Sequence, residues 1–352
     1  MDSRERVGRA LSGRDHDRVP YQDVFWKSTI QRWRREGLPE DVDLADFFGC
    51  EITRIGGDYS MQFPQRTLEE TSRYRIYVDR DGATRKEIAQ GDDWTPHWLD
   101  FTIRSADDWR RHHKRMAYSA SRIAPTATAA WRHARDKGRF VAFSAHASFH
   151  PTWHKIGLET MLTAMIDEPD WPVDMMAAHA QLIIDLYEGM KAEGFDFDGA
   201  WLSDDLGYNR APLVSPAMYE ELIMPHHRRL CEYFAADGLP VILHSDGDVR
   251  PLIPLFLDAG ITALHPLEAK AGLHVADLST TYGDRLDLFG NIDVTQLAGS
   301  AEAVVAEVEA TVAAGMAGAG GYLFHSDHSV PSDVSLENYR LALQTLRRVG
   351  NY

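Results

Sequence analysis

Cysteine is scarce in this chain: its 352 residues include only Cys50 and Cys231. Two cysteines so far apart form neither a disulfide framework nor a Cys-X-X-Cys metal knuckle, so we expect buried structural thiols in a reducing compartment. Positive charge is scarce too, because 37 Lys and Arg stand against 53 Asp and Glu, for a net charge of −16 at pH 7. Binding to a nucleic-acid backbone needs a basic surface, so we expect no nucleic-acid partner.

Several sequence signatures are also absent. No apolar stretch approaches the ~18 residues that cross a bilayer, and the N-terminus lacks the apolar core of a secretory signal. We therefore expect a cytoplasmic protein that does not bind membranes. No GxGxxG follows the first predicted strand, and neither GxxxxGKS/T nor GxSxG occurs. This argues against the usual nucleotide-phosphate loops and against nucleophile-elbow hydrolases.

What the sequence does contain, from about residue 139 onward, is a repeated unit of a short apolar run followed by a helical pattern. The predicted strands cover 140–145, 197–202, 240–243, 261–264, 286–289 and 321–324. Such units form parallel strands with right-handed crossovers, in a doubly wound sheet or a closed barrel. Earlier in the chain the pattern predicts helices at 3–11 and 28–36, and a β-hairpin with strands 74–78 and 84–88 around Asp81-Gly82.

The residues that follow these strands help to choose between the two folds. Each predicted strand ends in polar or ionisable side chains, at Ser144-Ala145-His146, Ser203-Asp204-Asp205, His244-Ser245-Asp246, His265-Pro266-Leu267-Glu268, Gly290-Asn291-Ile292-Asp293 and His325-Ser326-Asp327-His328. Active sites of (β/α)8 barrels lie at the carboxyl ends of the strands. The sequence therefore favours an α/β fold of the (β/α)8 TIM-barrel type, with N-terminal helices and the hairpin as additions.

Two similar segments, His244-Ser245-Asp246 and His325-Ser326-Asp327, are the strongest candidate site. Each places an imidazole directly after a strand and a carboxylate two residues later. Imidazole and carboxylate ligands suit zinc or another divalent first-row ion, so the pattern predicts a metal site with His244, Asp246, His325 and Asp327 as candidate ligands. Two alternatives stay open: helix capping by Ser and Asp, and metal-free acid and base chemistry.

Further polar residues at strand ends are candidates for catalysis or substrate binding. Adjacent residues of a strand face opposite ways, so we expect Asp205 or its neighbour Asp204 to enter the barrel mouth and the other to cap or to be solvated. His146 and His150 lie on a predicted loop, where substrate contact competes with packing. Asp293 is either a substrate ligand or the N-cap of the next helix.

Two other groups are expected to be structural. His226-His227 lies inside a helical pattern, and we expect it on a partly exposed face. Four tryptophans are more typical of core packing than of an aromatic-binding pocket: Trp94, Trp98, Trp109 and Trp131.

Long segments of the chain resemble the uroporphyrinogen decarboxylase superfamily, from about residue 3 to residue 346. They are SRERVGRALSGRDHDRVP, DLADFFGCEITRIGGDYS, FDGAWLSDDLGYNRAPLVSPAMYEELIMPHHRRL and LHSDGDVRPLIPLFLDAGITALHPLEAKAGLHVADLSTTYGDRLDLFGNIDV. The resemblance implies one barrel domain over 1–352, with 1–125 as N-terminal additions and first barrel elements and 126–352 as the main βα units. Its decarboxylase branch also implies a homodimer.

The resemblance is nearer to the zinc-dependent methyltransferases of this superfamily than to its true uroporphyrinogen decarboxylases. The methyltransferases bind zinc through a His, a Cys two residues later and a Cys at a later strand end. His244 matches the His, Asp246 stands in place of the first Cys, and His325 lies near the second. This implies a metal-dependent enzyme, with zinc as the ion, that moves a methyl group between a small methylated substrate and a corrinoid or thiol. A corrinoid protein would be a partner.

The runner-up function is decarboxylation of a small acidic substrate. Asp58 matches an Asp of the decarboxylases by position, but residues 21–27 lack the arginines of their Met-Arg-Gln-Ala-Gly-Arg stretch. In this alternative Asp58 or Asp205 protonates the carbanion-like centre, and Arg210 or Arg250 holds a carboxylate. A third interpretation is a corrinoid or tetrapyrrole carrier, which has no need of ionisable groups at its strand ends.

Overall fold

The computed structural model describes residues 1–88 and 96–352. Its strands are Ile52–Ile55 (β1), Arg66–Glu70 (β2), Tyr74–Val78 (β3), Ala83–Ile88 (β4), His97–Phe101 (β5), Phe140–His146 (β6), Gly199–Ser203 (β7), Val241–His244 (β8), Ala263–His265 (β9), Asp287–Phe289 (β10) and Tyr322–Leu323 (β11). Its α-helices are Ser3–Ala10 (α1), Lys27–Arg35 (α2), Leu44–Phe48 (α3), Ala106–His112 (α4), Ala127–Asp136 (α5), Phe149–Ile156 (α6), Leu158–Asp167 (α7), Asp170–Ala192 (α8), Pro216–Met218 (α9), Met224–Ala236 (α10), Ile253–Ala259 (α11), Val275–Tyr282 (α12), Val294–Leu297 (α13), Ala301–Met316 (α14) and Leu336–Val349 (α15). A π-helical turn, Tyr219–Ile223, joins α9 to α10.

Seven strands form a parallel sheet in the order β1-β6-β7-β8-β9-β10-β11. An extended N-terminal segment takes the eighth position, between β11 and β1. On one side Tyr21 forms a parallel bridge with Phe324, and on the other the backbone N–H of Glu51 donates to the Tyr21 carbonyl at 2.9 Å. The sheet thereby closes, and the (β/α)8 TIM barrel predicted from the sequence is confirmed.

The interior of the barrel is apolar at the end where the strands begin. Side chains of α1 pack there against strand residues in one buried cluster: Val7, Ala10, Leu11, Ile52, Phe140, Ala142, Trp201, Ile242, Ala263, Phe289 and Leu323. Asp2 begins α1 by accepting a hydrogen bond from the Glu5 N–H at 2.8 Å. Because α1 and its apolar side chains fill this end, the polar strand ends described below lie at the opposite, open end.

A second, antiparallel sheet has the order β2-β3-β4-β5. The predicted hairpin forms its centre, with Tyr74 opposite Ile88 and Val78 opposite Thr84. The outer strands β2 and β5 were not predicted. Every residue of β2 is exposed, so it shows no alternation of apolar and polar side chains. Residues just before β5, including Trp94, lie outside the described part of the chain.

Both cysteines are free and buried, as expected. Burial raises the pKa of each thiol to about 12, so neither is a thiolate at neutral pH. Across residues 1–88 and 96–352, none of the helices combines the length and the apolar character needed to cross a bilayer.

Candidate functional site

The polar strand ends surround a cavity of about 880 Å³ at the open end of the barrel. Strand residues Ser144, Ser203, His244 and His265 line it, together with loop and helix residues that follow the strands. This is the face on which barrel enzymes carry their active sites. It is therefore the candidate active site.

Three of the lining residues could hold a metal ion. One ligand atom from each of Asp205, His244 and Asp246 lies within 4.8 Å of the others. His244 Nε2 is 3.5 Å from Asp205 Oδ1 and 3.8 Å from Asp246 Oδ1. Zinc bonds of about 2.0–2.2 Å place neighbouring tetrahedral ligands roughly 3.3 Å apart, so a small contraction would suit an ion. Asp246 Oδ1 is buried and has no hydrogen-bond partner among the described residues, so its lone pairs are available to an ion.

His265 supports this arrangement from behind. Its Nδ1 lies 2.8 Å from Nδ1 of His244. Burial and the neighbouring histidines lower the pKa of His265 well below its usual value, so the ring is neutral and its Nδ1 can accept a hydrogen bond from His244 Nδ1–H. That tautomer leaves His244 Nε2 unprotonated, the form that binds metals, and metal-bound histidines are commonly oriented in this way. Sequence reasoning noted His265 at a strand end but assigned it no role.

His150 orients one of the carboxylates. Its Nδ1 lies 2.8 Å from Asp205 Oδ2. The expectation of a loop around His150 was wrong: the residue lies in the first turn of α6. Pro151 is tolerated there because the first turn of a helix needs no N–H donor. Burial opposes ionisation of Asp205, but the hydrogen bond with His150 lowers its pKa below the usual range.

Asp204 faces away from the cavity, as expected for one member of the pair. It is fully buried and accepts backbone N–H groups of Ser148 at 3.2 Å and Phe149 at 3.1 Å, and also that of His150. These bonds fix the start of α6. The two neighbouring carboxylates therefore act on the same helix from opposite sides, since Asp205 contacts its His150 side chain.

The prediction of a partly exposed His226-His227 was wrong. His227 is fully buried and His226 is 8% exposed. His227 Nε2 lies 2.7 Å from Asp204 Oδ2, and its Nδ1 lies 2.9 Å from the Tyr219 hydroxyl. Tyr219 begins the π-helical turn before α10, and such turns add a residue that helical periodicity alone does not anticipate.

The second predicted ligand pair does not join the cluster. His325 lines the cavity with its Nδ1 2.6 Å from the Ser326 carbonyl, and its buried Nε2 has no hydrogen-bond partner among the described residues, but the ring is not part of the cluster of Asp205, His244 and Asp246. Asp327 uses both carboxylate oxygens for backbone N–H groups, of Ala269 at 3.2 Å and Val294 at 3.1 Å. Burial raises the pKa of Asp327 to about 6. The structure thus employs Asp327 to hold two loops together, with one hydrogen bond on each of its oxygens.

Three other candidates lie outside the cavity lining. Asp58 forms an ion pair with Arg80 at 2.7 Å. Arg210 is exposed on a turn beyond β7. Asp293 is the N-cap of α13, where it accepts the Thr295 N–H at 2.8 Å. The capping interpretation of Asp293 therefore describes its place in the structure.

His146, in contrast, lies in the cavity as a candidate catalytic residue should. Its ring is open to water and lies 5.3 Å from that of His150. The surrounding protein and the neighbouring His150 lower the pKa of His146 to about 4. The imidazole is consequently neutral at pH 7 and can accept a hydrogen bond.

Comparison with known proteins places this barrel in a family. A family model described as Uroporphyrinogen decarboxylase (URO-D) matches residues 99–349. Uroporphyrinogen decarboxylases of Xanthomonas axonopodis pv. citri (strain 306) and Xanthomonas oryzae pv. oryzae (strain MAFF 311018) are 28% and 26% identical over 147 and 146 residues. Each alignment covers 39% of this chain and 40% of the relative, so the similarity spans about two fifths of their length.

The fold extends further than this sequence similarity. A solved structure described as a methyltransferase from Methanosarcina mazei superposes with a TM-score of 0.69 at 16% identity, covering 99% of both chains. The two proteins therefore share the whole fold. The matched family model covers well over half of this chain, and its named relatives are enzymes. The chain belongs to the uroporphyrinogen decarboxylase (URO-D) family.

Proposed function

We propose that the protein is a metal-dependent methyltransferase that acts on a small methylated substrate. The observation that carries this proposal is the cluster of Asp205, His244 and Asp246, with His265 bonded behind His244. One imidazole and two carboxylates suit zinc or another divalent first-row ion. The full-length fold match to a protein described as a methyltransferase supports the same reaction class.

A bound divalent metal would lower the pKa of a methyl acceptor or polarise the heteroatom that bears the methyl group. The chain's own residues would prepare the site for this. His265 keeps His244 in the tautomer with a free Nε2, and His150 holds Asp205 as an ionised carboxylate. His146, neutral at pH 7, would accept a hydrogen bond from the substrate or the acceptor.

In the proposed transfer the methyl carbon moves without its bonding electrons. The bond to the donor heteroatom breaks and its electron pair stays on the donor, while a lone pair of the acceptor forms the new bond. The acceptor is a thiol, whose proton passes to the donor, or a reduced corrinoid. A corrinoid, free or on a corrinoid protein, is accordingly the proposed partner.

Decarboxylation is less well supported by the same residues. In this alternative Asp58 or Asp205, as a carboxylic acid, protonates the carbanion-like product. Asp58 lies outside the cavity lining and is paired with Arg80. Burial would raise the pKa of both carboxyl groups, but hydrogen bonds outweigh it. Bonds with Ser60 and Gln62 lower the pKa of Asp58, and the bond with His150 lowers the pKa of Asp205. Both groups would be ionised at neutral pH, so neither is a proton donor.

The test is elemental analysis of the purified protein after loading with zinc and gel filtration. We expect about one metal ion per chain in the wild type and in His274→Ala, an exposed histidine that serves as the matched control. We expect its loss in His244→Ala. Methyl transfer from a panel of methylated compounds to a thiol or corrinoid should disappear with the metal. A wild-type protein that binds no metal would overturn the proposal and favour decarboxylation. Methyl transfer that survives a chelator would overturn its dependence on a metal.

A further inference from the structure

One arginine side chain lines the cavity and has no part in the proposed methyl transfer. Arg54 on β1 is the one Lys or Arg among the described residues that line it. Its side chain projects into the cavity and is open to water there. The short strand ITRI places Ile52 in the apolar barrel interior, and the alternation of a strand then directs Arg54 to the same side.

Arg54 has no anionic partner within the described ranges of the chain. Across residues 1–88 and 96–352, the contact found for its guanidinium is with the ring of Trp201, whose centroid is 4.8 Å from the guanidinium carbon. An arginine remains charged at any pH relevant to proteins, so the cavity holds a positive charge that no carboxylate of the described residues pairs with. The surrounding protein lowers the pKa of Arg54, and no neighbouring carboxylate opposes this.

The charge also lies close to the candidate metal cluster. Trp201 contacts the His265 ring, with centroids 4.7 Å apart, and His265 in turn holds His244. The cavity therefore has a permanent positive charge behind the cluster, and carboxylates at the cluster itself.

The residues after β1 leave this charge accessible. Gly56 and Gly57 line the cavity and add no side chain to it. At Gly56 a Cβ atom would lie 2.1 Å from the Ser144 carbonyl oxygen, so any larger residue would push the strands apart. A ligand in the cavity can thus approach Arg54 past bare backbone.

We propose that Arg54 binds the carboxylate of the substrate, so that the substrate is a small methylated organic acid. One planar guanidinium matches the two oxygens of a carboxylate in a bidentate pair. A doubly charged phosphate would retain an unpaired charge near Asp205 and Asp246. The orientation of the acid, with its methyl-bearing atom at the cluster, rests on the proposed methyl transfer; the binding of the carboxylate does not.

The test uses chelator-treated protein, so that a metal contributes nothing to binding. Acetate, methoxyacetate and benzoate would be titrated by ligand-observed NMR alongside their uncharged amides, with inorganic phosphate as a second anion. We expect at least one acid to bind the wild type about tenfold or more tightly than its amide and than phosphate, as a charge-assisted pair allows. Arg54→Gln should remove this preference, and Arg285→Gln, an exposed arginine near α12, should retain it.

The outcomes separate this proposal from the metal-dependent function. If no acid binds more tightly than its amide, or if Arg54→Gln retains the preference, Arg54 is not the carboxylate site. Tighter binding of phosphate would overturn the substrate class. Should Arg54→Gln fail to fold, the wild-type comparison and Arg54→Lys, which keeps the charge but not the planar pair, still decide. A protein that binds metal but no acid refutes only this inference, and one that binds acid but no metal refutes only the proposed function.

Discussion

Replacing Asp204 by asparagine should reveal how much the start of α6 depends on one buried carboxylate. Asp204 is fully buried, accepts three backbone N–H groups and bonds to His227 at 2.7 Å. Asparagine has the same shape but offers one acceptor oxygen. If that oxygen bonds to His227 and to the N–H groups of Ser148 and Phe149, the new NH2 group faces the N–H of His150, and two donors oppose each other.

The cost can be estimated from these contacts. The variant loses a charge-assisted hydrogen bond and leaves a buried donor without a partner, worth about 1.5–3 kcal/mol. It also loses a negative charge at a helix N-terminus, worth about 0.3–1 kcal/mol. We expect Asp204→Asn to lower the free energy of unfolding by about 3 kcal/mol at pH 7.

Asp293→Asn is the matched control. Asp293 is also an N-cap, but it is half-buried and uses one oxygen for Thr295. Asparagine caps helices as well as aspartate does, so this change should cost less than about 0.5 kcal/mol. Urea denaturation followed by circular dichroism measures both variants against the wild type. Equal losses, or a loss below about 1 kcal/mol for Asp204→Asn, would refute the assigned role of the buried carboxylate.

The pH dependence supplies a second check on Asp204. Burial alone would raise its pKa, but His227 and the α6 amides lower it below the ordinary value. The folded-state pKa thus lies below the unfolded value of about 3.9. Stabilisation by the carboxylate is complete above the unfolded pKa and disappears as the pH falls through the folded one. The difference between wild type and Asp204→Asn should therefore narrow in acid, and a constant difference would contradict the pKa direction.

Three further perturbations test separate contacts. Tyr219→Phe removes the hydroxyl bonded to His227 and should destabilise the protein by about 1 kcal/mol in urea denaturation. Asp287→Asn should raise the melting temperature more at pH 8 than at pH 4, because burial raises the pKa of Asp287 to about 7 and its ionisation above the unfolded pKa destabilises the fold. His265→Gln should weaken zinc binding by about 10–100-fold in competition with a chelator, because it disturbs the orientation of His244. An unchanged stability of Tyr219→Phe, an equal change in melting temperature of Asp287→Asn at both pH values, or an unchanged zinc affinity of His265→Gln would contradict the role assigned to that residue.

The barrel was predictable because its signals are local. Buried parallel strands such as β6 read as short apolar runs, and their polar ends share one face of the barrel. β1 escaped prediction because Thr53 and Arg54 interrupt its apolar residues, and the charged Arg54 is directed inward. The closing segment around Tyr21 escaped because its pairing depends on Phe324, some three hundred residues later in the chain.

The candidate site was predictable only in part, for a related reason. His244 and Asp246 lie two residues apart, so their spacing is visible in the sequence, and Asp205 ends a neighbouring predicted strand. His325 and Asp327 repeat the same local pattern, yet the backbone groups around Asp327 occupy both of its oxygens. Which of two identical tripeptides faces a ligand depends on contacts between loops, and these contacts leave no periodic signal.

The pair Asp204-Asp205 links the stability of the barrel to its chemistry. Strand alternation directs the two carboxylates to opposite sides, and both meet α6: Asp204 at its backbone and Asp205 at the His150 ring. A change in the buried contact with His227 would shift α6, and with it the hydrogen bond that keeps Asp205 ionised and oriented. The geometry of the proposed metal site thus depends on His227, which lies outside the cavity lining, and loss of that buried contact should weaken metal binding before it unfolds the barrel.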